Sequence, residues 1–447
     1  MKVLLIGSGG REHALAWGLA QSPKLSKLYV APGNAGTVQL GENVPISAEN
    51  LSALIEFARR EQIDLTIVGP EAPIVAGIRD LFERENLKII APTQRASFLE
   101  GSKVAAKAFM HKHGIPTARH GSFNDFDQAR AFSRTMQLPI VIKADGLAAG
   151  KGVAIAQTHL EAEQTLRDFI LARRFGAASQ RVVVEEFLVG REFSLFVASD
   201  GSSWKLLGTA QDYKRLLDGD QGPNTGGMGA LSPVPWLTER MLDETVRKIV
   251  APTFDALRVE SISYEGILYF GLIWTERGPY LLEYNARFGD PETQVLVPRF
   301  DFDLLEFYCA ISERRLERFE TKLKPVSAVC VVLASKGYPE QYEKGLVIEG
   351  LEALSPGPSP VSHHGRGVPA GRGEGHTLIF HAGTTLQNNQ IVTAGGRVLN
   401  VVGLGDSVNE ARARAYTAIE KIRFQGMQYR RDIGSALPLR IEDATSP

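Results

Sequence analysis

Residues 280–294, YLLEYNARFGDPETQ, place a row of polar side chains at the end of a short apolar run. The apolar run predicts a buried strand, and every second side chain of a strand points to the same face. Glu283, Asn285 and Arg287 are therefore expected to share one face. A carboxylate and an amide oxygen suit Mg²⁺ or Mn²⁺ beside nucleotide phosphates, and a guanidinium pairs with carboxylate or phosphate. With the R-F-G-D-P-E sequence attached, the row favours a metal–phosphate site over a polar edge strand.

The size and charge of the chain narrow the class of protein. Its 447 residues suggest roughly three domains. A net charge of −1 with 44% hydrophobic residues is typical of a soluble globular protein and indicates neither nucleic-acid nor membrane binding. The N-terminal MKVLLIGSGG differs from a signal peptide, because its short apolar run leads into a glycine turn. Cys309 and Cys330 lie in apolar runs, so we expect buried thiols and a reducing cytoplasm.

The N-terminal part alternates strands and helices and predicts an open parallel α/β sheet. The predicted strands cover 2–6, 27–31, 64–68 and 87–91, and the predicted helices cover 11–22, 51–61 and 74–86. Gly9 and Gly10 precede a helix, where free N–H groups suit an anion. Glu12 stands where a dinucleotide-binding fingerprint has its third glycine, which argues against a dinucleotide site. The turn is therefore expected either to bind a phosphate of a smaller substrate or to bind no ligand. Glu71 follows a strand at the edge of such a sheet where ligands usually bind, so it is a candidate for ligand binding. The alternative is that it is a solvated loop residue.

The next two predicted elements, a helix and a pair of strands, both contain lysines. Residues 99–114 predict one amphipathic helix with Ser102 as N-cap, and Lys103 and Lys107 share a face of it. Residues 139–157 predict two strands joined by the small-residue segment 146–152, which contains Gly150, Lys151 and Gly152. Small residues let backbone amides approach phosphate, and a lysine within a strand, Lys143, needs an anion as partner. We therefore favour a phosphate flap over a purely structural hairpin.

Acidic residues and a polar segment follow. Glu185 and Glu186 lie in the predicted strand 182–188 and Glu192 in a second strand, where they could accept hydrogen bonds from adenine and ribose or form the outer face of a hairpin. Residues 210–231 predict a long loop that carries Asp212, Lys214, Arg215 and the N-T-G-G-M-G sequence. Its grouped charges favour a substrate loop over a merely flexible one.

The region beyond residue 300 is a helix followed by a strand-rich block. Predicted strands fall in KPVSAVCVVLAS, VIEGL, TLIFHAGTTL, QIVTAG and RVLNVVGLG, before a last helix at 407–424. Residues 355–375 are rich in Pro, Gly and Ser and predict a mobile surface loop. His363 and His364 in that loop are expected to be exposed residues, not metal ligands.

These motifs together resemble one family, the phosphoribosylamine–glycine ligases of the ATP-grasp superfamily. The motifs run in order from residue 1 to about 430. They are GSGGREHA (7–14), APGNAGT (31–37), TIVGPEAP (66–73), LEGSK (99–103), VIKADGLAAGKGV (141–153), EEF (185–187), QDYKR (211–215), GPNTGGMGA (222–230) and RFGDPETQ (287–294). The last two are the most specific.

The resemblance implies a fold and a set of ligands. It implies an α/β domain at 1–100, an ATP-grasp domain at 101–322 with a mobile flap at about 120–190, and a strand-rich domain at 323–447. It implies ATP, Mg²⁺ or Mn²⁺, glycine and 5-phosphoribosylamine as ligands of a cytoplasmic enzyme of purine biosynthesis. We expect a monomer or a weak homodimer.

The resemblance also implies roles for individual residues. Glu283 and Asn285 would hold the metal. The nucleotide would bind at Lys103, Lys143, Gly150, Lys151, Gly152, Glu185, Glu186, Phe187, Leu188 and Glu192. The substrates would bind at Gly9, Gly10, Glu71, Asn224, Thr225, Gly226, Asp290, Pro291 and Glu292. Arg287, Asp212 and Lys214 are the catalytic candidates.

One position separates this sequence from many ATP-grasp relatives. Those relatives have a further metal carboxylate about twelve residues before the E-x-N pair, where this chain has Gly271; phosphoribosylamine–glycine ligases also lack it. The resemblance leaves two alternatives, which are another carboxylate–amine ligase of the same fold and a non-catalytic nucleotide-binding regulator. The 355–375 loop is longer than is usual in the family.

Overall fold

The computed structural model describes residues 1–148, 152–352 and 376–435. The N-terminal part is a parallel sheet, as the sequence predicts, but it has five strands instead of the four predicted, in the order β3-β2-β1-β4-β5. Its strands are β1 (Lys2–Gly7), β2 (Lys27–Pro32), β3 (Glu42–Asn43), β4 (Leu65–Val68) and β5 (Ile89–Ile90). Its helices are α1 (Gly10–Ala20), α2 (Leu51–Arg60), α3 (Glu71–Val75) and α4 (Ile78–Arg84). The predicted single helix 74–86 is wrong, because Gly77 adopts φ +83° and separates α3 from α4.

A small antiparallel sheet follows two short helices. The helices before it are α5 (Phe98–Gly101) and α6 (Lys103–Lys112). Its strands are β6 (His120–Phe123), β7 (Ile140–Ala144), β8 (Val153–Ala156) and β9 (Val182–Glu186), in the order β6-β9-β7-β8, and its helices are α7 (Phe126–Ser133) and α8 (His159–Leu166). The single helix predicted over 99–114 is wrong, because Ser102 has an extended backbone between α5 and α6. Its hydroxyl accepts the Ala105 N–H at 3.1 Å, which confirms it as an N-cap.

A larger, eight-stranded sheet crosses the predicted boundary at residue 322. Its order is β16-β15-β10-β11-β14-β17-β21-β18. The remaining strands of the chain are β10 (Arg191–Asp200), β11 (Trp204–Asp212), β12 (Arg215–Leu217), β13 (Gln221–Asn224), β14 (Gly229–Ser232), β15 (Glu265–Thr275), β16 (Gly278–Asn285), β17 (Ser327–Ala334), β18 (Thr377–His381), β19 (Thr384–Gln387), β20 (Gln390–Thr393) and β21 (Arg397–Gly405). The remaining helices are α9 (Glu239–Thr245), α10 (Ala251–Val259), α11 (Glu292–Leu296), α12 (Leu304–Ser312) and α13 (Val408–Ile419). Because β14 pairs with both β11 and β17, the strand-rich C-terminal part extends the sheet that carries the E-x-N strand.

Three local predictions differ from the structure. Strands β9 and β10 belong to different sheets, so they do not form the hairpin considered for 182–199. The predicted loop 210–231 is largely strand: it contains the end of β11, the β12–β13 pair and most of β14. Residues 347–351 form only isolated bridges instead of a strand. The loop 355–375, with His363 and His364, lies outside the described residues.

Burial follows the apolar pattern of the sequence. The four residues of β1 from Val3 to Ile6 are fully buried, as expected for a central strand covered on both faces. Cys309 and Cys330 are buried free thiols, as predicted. Within the described residues, no helix has the length and apolar character needed to cross a bilayer.

Candidate active site

A cavity of about 790 Å³ opens where the N-terminal sheet edge, the small sheet and the large sheet meet. Most of the predicted site residues line it. They are Gly9, Glu71, Lys103, Lys143, Gly152, Glu185, Glu186, Phe187, Leu188, Glu192, Asp212, Lys214, Asn224, Thr225, Gly226, Glu283, Asn285, Arg287, Asp290 and Glu292. Residues from distant parts of the sequence therefore converge on one cavity.

Four predicted site residues are not among those that line the cavity. Gly10 begins α1 and faces other side chains, since a Cβ there would lie 2.2 Å from Asn400 Nδ2. Pro291 packs against Gly227, where a Cβ would lie 2.5 Å from Pro291 Cδ. Gly150 and Lys151 lie outside the described residues.

Two buried lysines share one carboxylate in the cavity wall. Lys107 Nζ and Lys143 Nζ each lie 3.1 Å from Glu185 Oε2. Although burial alone would raise it, the pKa of Glu185 lies below its usual value because of the two ammonium groups. Burial lowers the pKa of Lys107 to about 8, against the attraction of Glu185. The second oxygen, Glu185 Oε1, is buried without a hydrogen-bond partner in the described structure, so one acceptor is left for a ligand.

Lys107 was absent from the predicted site, although its spacing from Lys103 on the helix placed both on one face. Lys103 Nζ donates to Gly146 O at 3.2 Å, and burial lowers its pKa. Asp145, which is also absent from the predicted site, accepts hydrogen bonds from Ser102 Oγ and Val104 N–H at 2.8 and 2.9 Å. The carboxylate therefore fixes the start of α6 against the end of β7.

The predicted metal ligands lie next to a register break in the large sheet. Gly271 pairs with Glu283, but Leu272 pairs with Leu281, which leaves Leu282 as the extra residue of a bulge. Leu282 O accepts a hydrogen bond from Lys143 Nζ at 3.3 Å. A Cβ at Gly271 would lie 3.1 Å from Glu283 Cγ, so a carboxylate at this position would crowd Glu283.

Arg287 is held by acids before any ligand arrives. Its guanidinium lies 2.8 Å from Glu100 Oε1 and 3.2 Å from Glu71 Oε2, and it donates to Asn285 Oδ1 at 3.3 Å. Burial would raise the pKa of Glu71, but Arg287 and Arg11 outweigh it and bring that pKa to about 2. Burial raises the pKa of Glu100, which was missing from the predicted site. The network ties the N-terminal domain to the E-x-N strand.

A second charged network lies across the cavity. Lys214 Nζ is 2.7 Å from Glu192 Oε2 and 3.5 Å from Asp212 Oδ1. Burial raises the pKa of Asp212, with Glu192 adding to the effect and Lys214 opposing it. Burial and the neighbouring Asp212 raise the pKa of Glu292 to about 7. Acids and a lysine in this arrangement can hold an amino group and an anion at adjacent positions.

The glycine turn after β1 is shaped by Glu12. Glu12 Oε2 accepts the Gly9 N–H at 2.6 Å, and Glu12 Oε1 lies 2.5 Å from Arg11 Nε. A Cβ at Gly69 would lie 2.0 Å from Glu12 Oε1. The acid therefore fills the space between the ends of β1 and β4, which explains why it stands where a dinucleotide site has glycine. The C-terminal part adds Tyr338, from the turn after β17, and Arg397, the first residue of β21, to the lining, and nothing in the sequence pattern indicated either.

Comparison with known proteins agrees with this architecture. Family models for phosphoribosylglycinamide synthetase match the chain as an N domain over residues 1–100, an ATP-grasp domain over 101–293 and a C domain over 328–436. A Caldanaerobacter subterraneus protein named phosphoribosylamine–glycine ligase is 46% identical, covering 97% of this chain and 100% of its own. A Vibrio cholerae protein of the same name is 48% identical, covering 97% of this chain and 98% of its own.

Solved structures extend the comparison to the fold. The crystal structure of phosphoribosylamine–glycine ligase from Thermotoga maritima superposes with a TM-score of 0.80 at 35% identity, covering 97% of this chain and 100% of that one. A biotin carboxylase domain from Hydrogenobacter thermophilus shares the fold alone, with a TM-score of 0.71 at 16% identity, covering 96% of this chain and 91% of that one. The chain therefore belongs to the phosphoribosylglycinamide synthetase family, whose members are ATP-grasp ligases that form C–N bonds and use ATP.

Proposed function

We propose that this protein joins glycine to 5-phosphoribosylamine with ATP, giving glycinamide ribonucleotide, ADP and phosphate in the cytoplasmic synthesis of purines. The observation that carries the proposal is the identity of 46% and 48%, over 97% of the chain, to relatives named phosphoribosylamine–glycine ligase. The cavity supports it, since it gathers buried lysines, an oxygen-ligand pair and substrate-type charges in one space.

The proposed chemistry proceeds in two displacements. A glycine carboxylate is a poor electrophile, so a carboxylate oxygen first attacks the γ-phosphorus of ATP, and the bond from that phosphorus to ADP breaks. The amino nitrogen of phosphoribosylamine then attacks the carbonyl carbon of glycyl phosphate, the C–O bond to phosphate breaks, and the nitrogen loses a proton. Neither step needs a side-chain nucleophile, so catalysis depends on positioning and charge stabilisation.

The nucleotide would occupy the part of the cavity between the small sheet and α6. Glu185 Oε1 is a buried acceptor with no hydrogen-bond partner among the described residues, which suits the amino group of adenine. Phe187 and Leu188 would complete the adenine pocket, and Glu192 would accept from the ribose hydroxyls. Lys103 and Lys143, with Gly152 from the flap, would face the phosphates, where an anion offsets the cost of burying their charge.

The donor set at Glu283 and Asn285 fits a hard divalent cation. The two residues line the same cavity, and together they offer one carboxylate and one amide oxygen. No group of three or more His, Cys, Asp or Glu side chains suited to a metal occurs among the described residues. The remaining ligands would therefore be phosphate oxygens and water. When bound, Mg²⁺ or Mn²⁺ would neutralise phosphate charge at this position.

The substrates would lie between the two charged networks. Arg287 would bind the glycine carboxylate or the acyl phosphate, and its contacts with Glu71 and Glu100 hold the guanidinium in place for that role. Asp212 and Lys214 would meet the substrate amine and phosphate. The phosphoribosyl group would contact Gly9, Glu71, Asn224, Thr225, Gly226, Asp290 and Glu292. Neither Gly10 nor Pro291 lines the cavity, so their predicted part in binding would act through the backbone of the neighbouring residues.

An activity assay tests the proposal directly. ADP formation should require both glycine and phosphoribosylamine, the latter generated in the assay because it is labile, and glycinamide ribonucleotide should accumulate with equal stoichiometry. Other amino acids should not replace glycine. ADP formation with a different carboxylate would support another ligase of this fold, and nucleotide binding without turnover would support a regulator. Light scattering should find a monomer or a weak homodimer.

A further inference from the structure

Arg397, at the start of β21, connects two loops of the cavity wall. Its Nη1 donates to Gly226 O and to Asp290 O, each at 2.7 Å. One loop is 224–227, which carries Asn224 and Thr225, and the other is the turn that begins at Arg287. The two acceptors are backbone carbonyls, so the contact fixes the paths of the loops and does not depend on their side chains.

Tight packing around Gly226 leaves Arg397 little freedom. A Cβ at Gly226 would lie 3.1 Å from Arg397 Cζ and 3.2 Å from Tyr338 OH. The Gly226 N–H donates to Tyr338 OH at 2.9 Å, so the C-terminal domain contacts both the backbone N–H and the backbone C=O of Gly226. A Cβ at Gly396 would lie 2.3 Å from Tyr338 Cδ2, so the ring packs against the backbone that leads into Arg397. Arg397 and Tyr338 thus form one brace.

The braced loops also contact each other. Gly227 has φ +113°, and a Cβ there would lie 2.5 Å from Pro291 Cδ, so only glycine allows this approach. The far side of the first loop is fixed, because Thr225 N–H and Oγ1 both lie 2.8 Å from Lys214 O. The Asp290 carboxylate accepts a hydrogen bond from Gln294 Nε2 at 2.7 Å, and, against the effect of burial, Arg397 and Arg11, the latter from the N-terminal domain, hold its pKa below the usual value.

We infer that Arg397 is a positioning residue that holds loops 224–227 and 287–291 at the separation needed to bind glycine and the phosphoribosyl substrate, an inference that rests on the proposed function. The guanidinium reaches both carbonyls while it also lies 3.5 Å from Asp290 Oδ1. All of these contacts come from one nitrogen, Nη1, so Arg397→Lys should retain more substrate affinity than Arg397→Ala. The nucleotide lysines are held by Glu185 and Gly146, neither of which touches Arg397. Loss of Arg397 should therefore disturb substrate binding more than ATP binding.

The test compares Arg397→Ala and Arg397→Lys with Arg412→Ala in the full-length protein. Arg412 is a matched control, because it also donates to two backbone carbonyls of the C-terminal domain, those of Ile433 and Arg431, and does not line the cavity. Equilibrium binding of a non-hydrolysable ATP analogue and of glycinamide ribonucleotide is measured for each, together with the KM for each substrate. Tyr338→Phe removes the other half of the brace and remains available if Arg397→Ala does not fold.

Arg397→Ala should weaken glycinamide ribonucleotide binding and kcat/KM for glycine by about tenfold to a hundredfold, while affinity for the ATP analogue changes by less than about twofold. Added methylguanidinium should restore part of the activity of Arg397→Ala but not of Arg412→Ala, and Tyr338→Phe should show a smaller loss of the same kind. Equal losses of nucleotide and product affinity, or wild-type behaviour of Arg397→Ala, would overturn the inference. A wild-type protein that binds the ATP analogue but not glycinamide ribonucleotide would overturn the proposed function itself.

Discussion

Arg287 Nε lies 3.2 Å from Glu71 Oε2, which joins the end of the E-x-N strand to the first residue of α3 in the N-terminal domain. A second acid, Glu100, lies 2.8 Å from the same guanidinium. Arg287 is therefore a binding candidate whose orientation is set by the protein. A ligand carboxylate would share donors with Glu71 and Glu100, so their charges influence how strongly the substrate binds.

Replacing Arg287 with alanine should reduce both activity and stability. Loss of one preorganised contact costs about 10²–10³ in kcat, and the buried Glu100 and half-buried Glu71 without their cation should cost about 3–5 kcal/mol of unfolding free energy. Steady-state kinetics and urea unfolding measure the two effects. Arg314→Ala is the control, because Arg314 is exposed and its buried partner, Glu265, keeps a second cation, Arg79. An unchanged glycine KM and kcat would dismiss a substrate role for Arg287.

The Glu71–Arg287 pair should make stability depend on acid pH. The pKa of Glu71 in the folded protein is about 2, below the usual 4.5, so its contribution is present above about pH 4.5 and is lost as the pH falls toward 2. The contribution is at most about 3 kcal/mol. The gap in unfolding free energy between wild type and Glu71→Gln should shrink as the pH falls from 6 to 3. A gap that does not change over this range would rule out the linkage.

Glu185→Gln should show whether the carboxylate of Glu185 stabilises the charged side chains of Lys107 and Lys143. Without it, Lys107 and Lys143 remain buried without a counter-ion, which should cost about 3–5 kcal/mol and lower the pKa of Lys107 below its present value of about 8. Compared with the wild type, Glu185→Gln should lose more affinity for an ATP analogue at pH 8 than at pH 6.5. Glu163→Gln, on α8 beside the same small sheet, is the control, because Glu163 also pairs with basic side chains, including Arg134 and Arg167, and does not line the cavity. Equal behaviour of the two variants would contradict the assigned role.

Metal dependence gives a test of the oxygen-ligand pair. Chelation with EDTA should abolish activity, and Mg²⁺ or Mn²⁺ should restore it. Glu283→Gln removes the only charge of the pair and should weaken Mn²⁺ binding in the presence of ADP by about tenfold or more, as measured by electron paramagnetic resonance. Glu276→Gln, in the exposed turn of the same hairpin, should bind Mn²⁺ like the wild type. Normal Mn²⁺ binding by Glu283→Gln would place the metal elsewhere.

Local sequence patterns were enough to predict the strands that carry the site. Continuous apolar runs identified β1, β7 and β15, because strands covered on both faces need apolar residues at every position. Glu283, Asn285 and Arg287 line one cavity, but β16 ends at Asn285, so strand alternation accounts only for the first two residues. The helix breaks at Gly77 and Ser102 escaped prediction, since an apolar period continues through each of them.

Long-range pairing could not be predicted in the same way. Strand β14 sits at the end of a polar, glycine-rich stretch, and its pairing with β11 and with β17, about 100 residues later, makes it part of the sheet. Arg397 reaches Asp290 from 107 positions away. Such contacts depend on topology that periodicity does not encode, so the cavity residues contributed by the C-terminal domain emerged only from the structure.

Glu292 should make the protein less stable as the pH rises through neutrality. Burial and the nearby Asp212 raise its folded pKa to about 7, above the usual 4.5, so the folded state binds more protons than the unfolded state between these values. The unfolding free energy should therefore fall between pH 5 and pH 8, by at most about 3 kcal/mol from this group. Glu292→Gln cannot ionise and should lose most of this slope, whereas Glu317→Gln, at an exposed position, should keep it. Urea unfolding at the two pH values measures the slope, and identical slopes in wild type and Glu292→Gln would show that Glu292 is already ionised in the folded protein at pH 5.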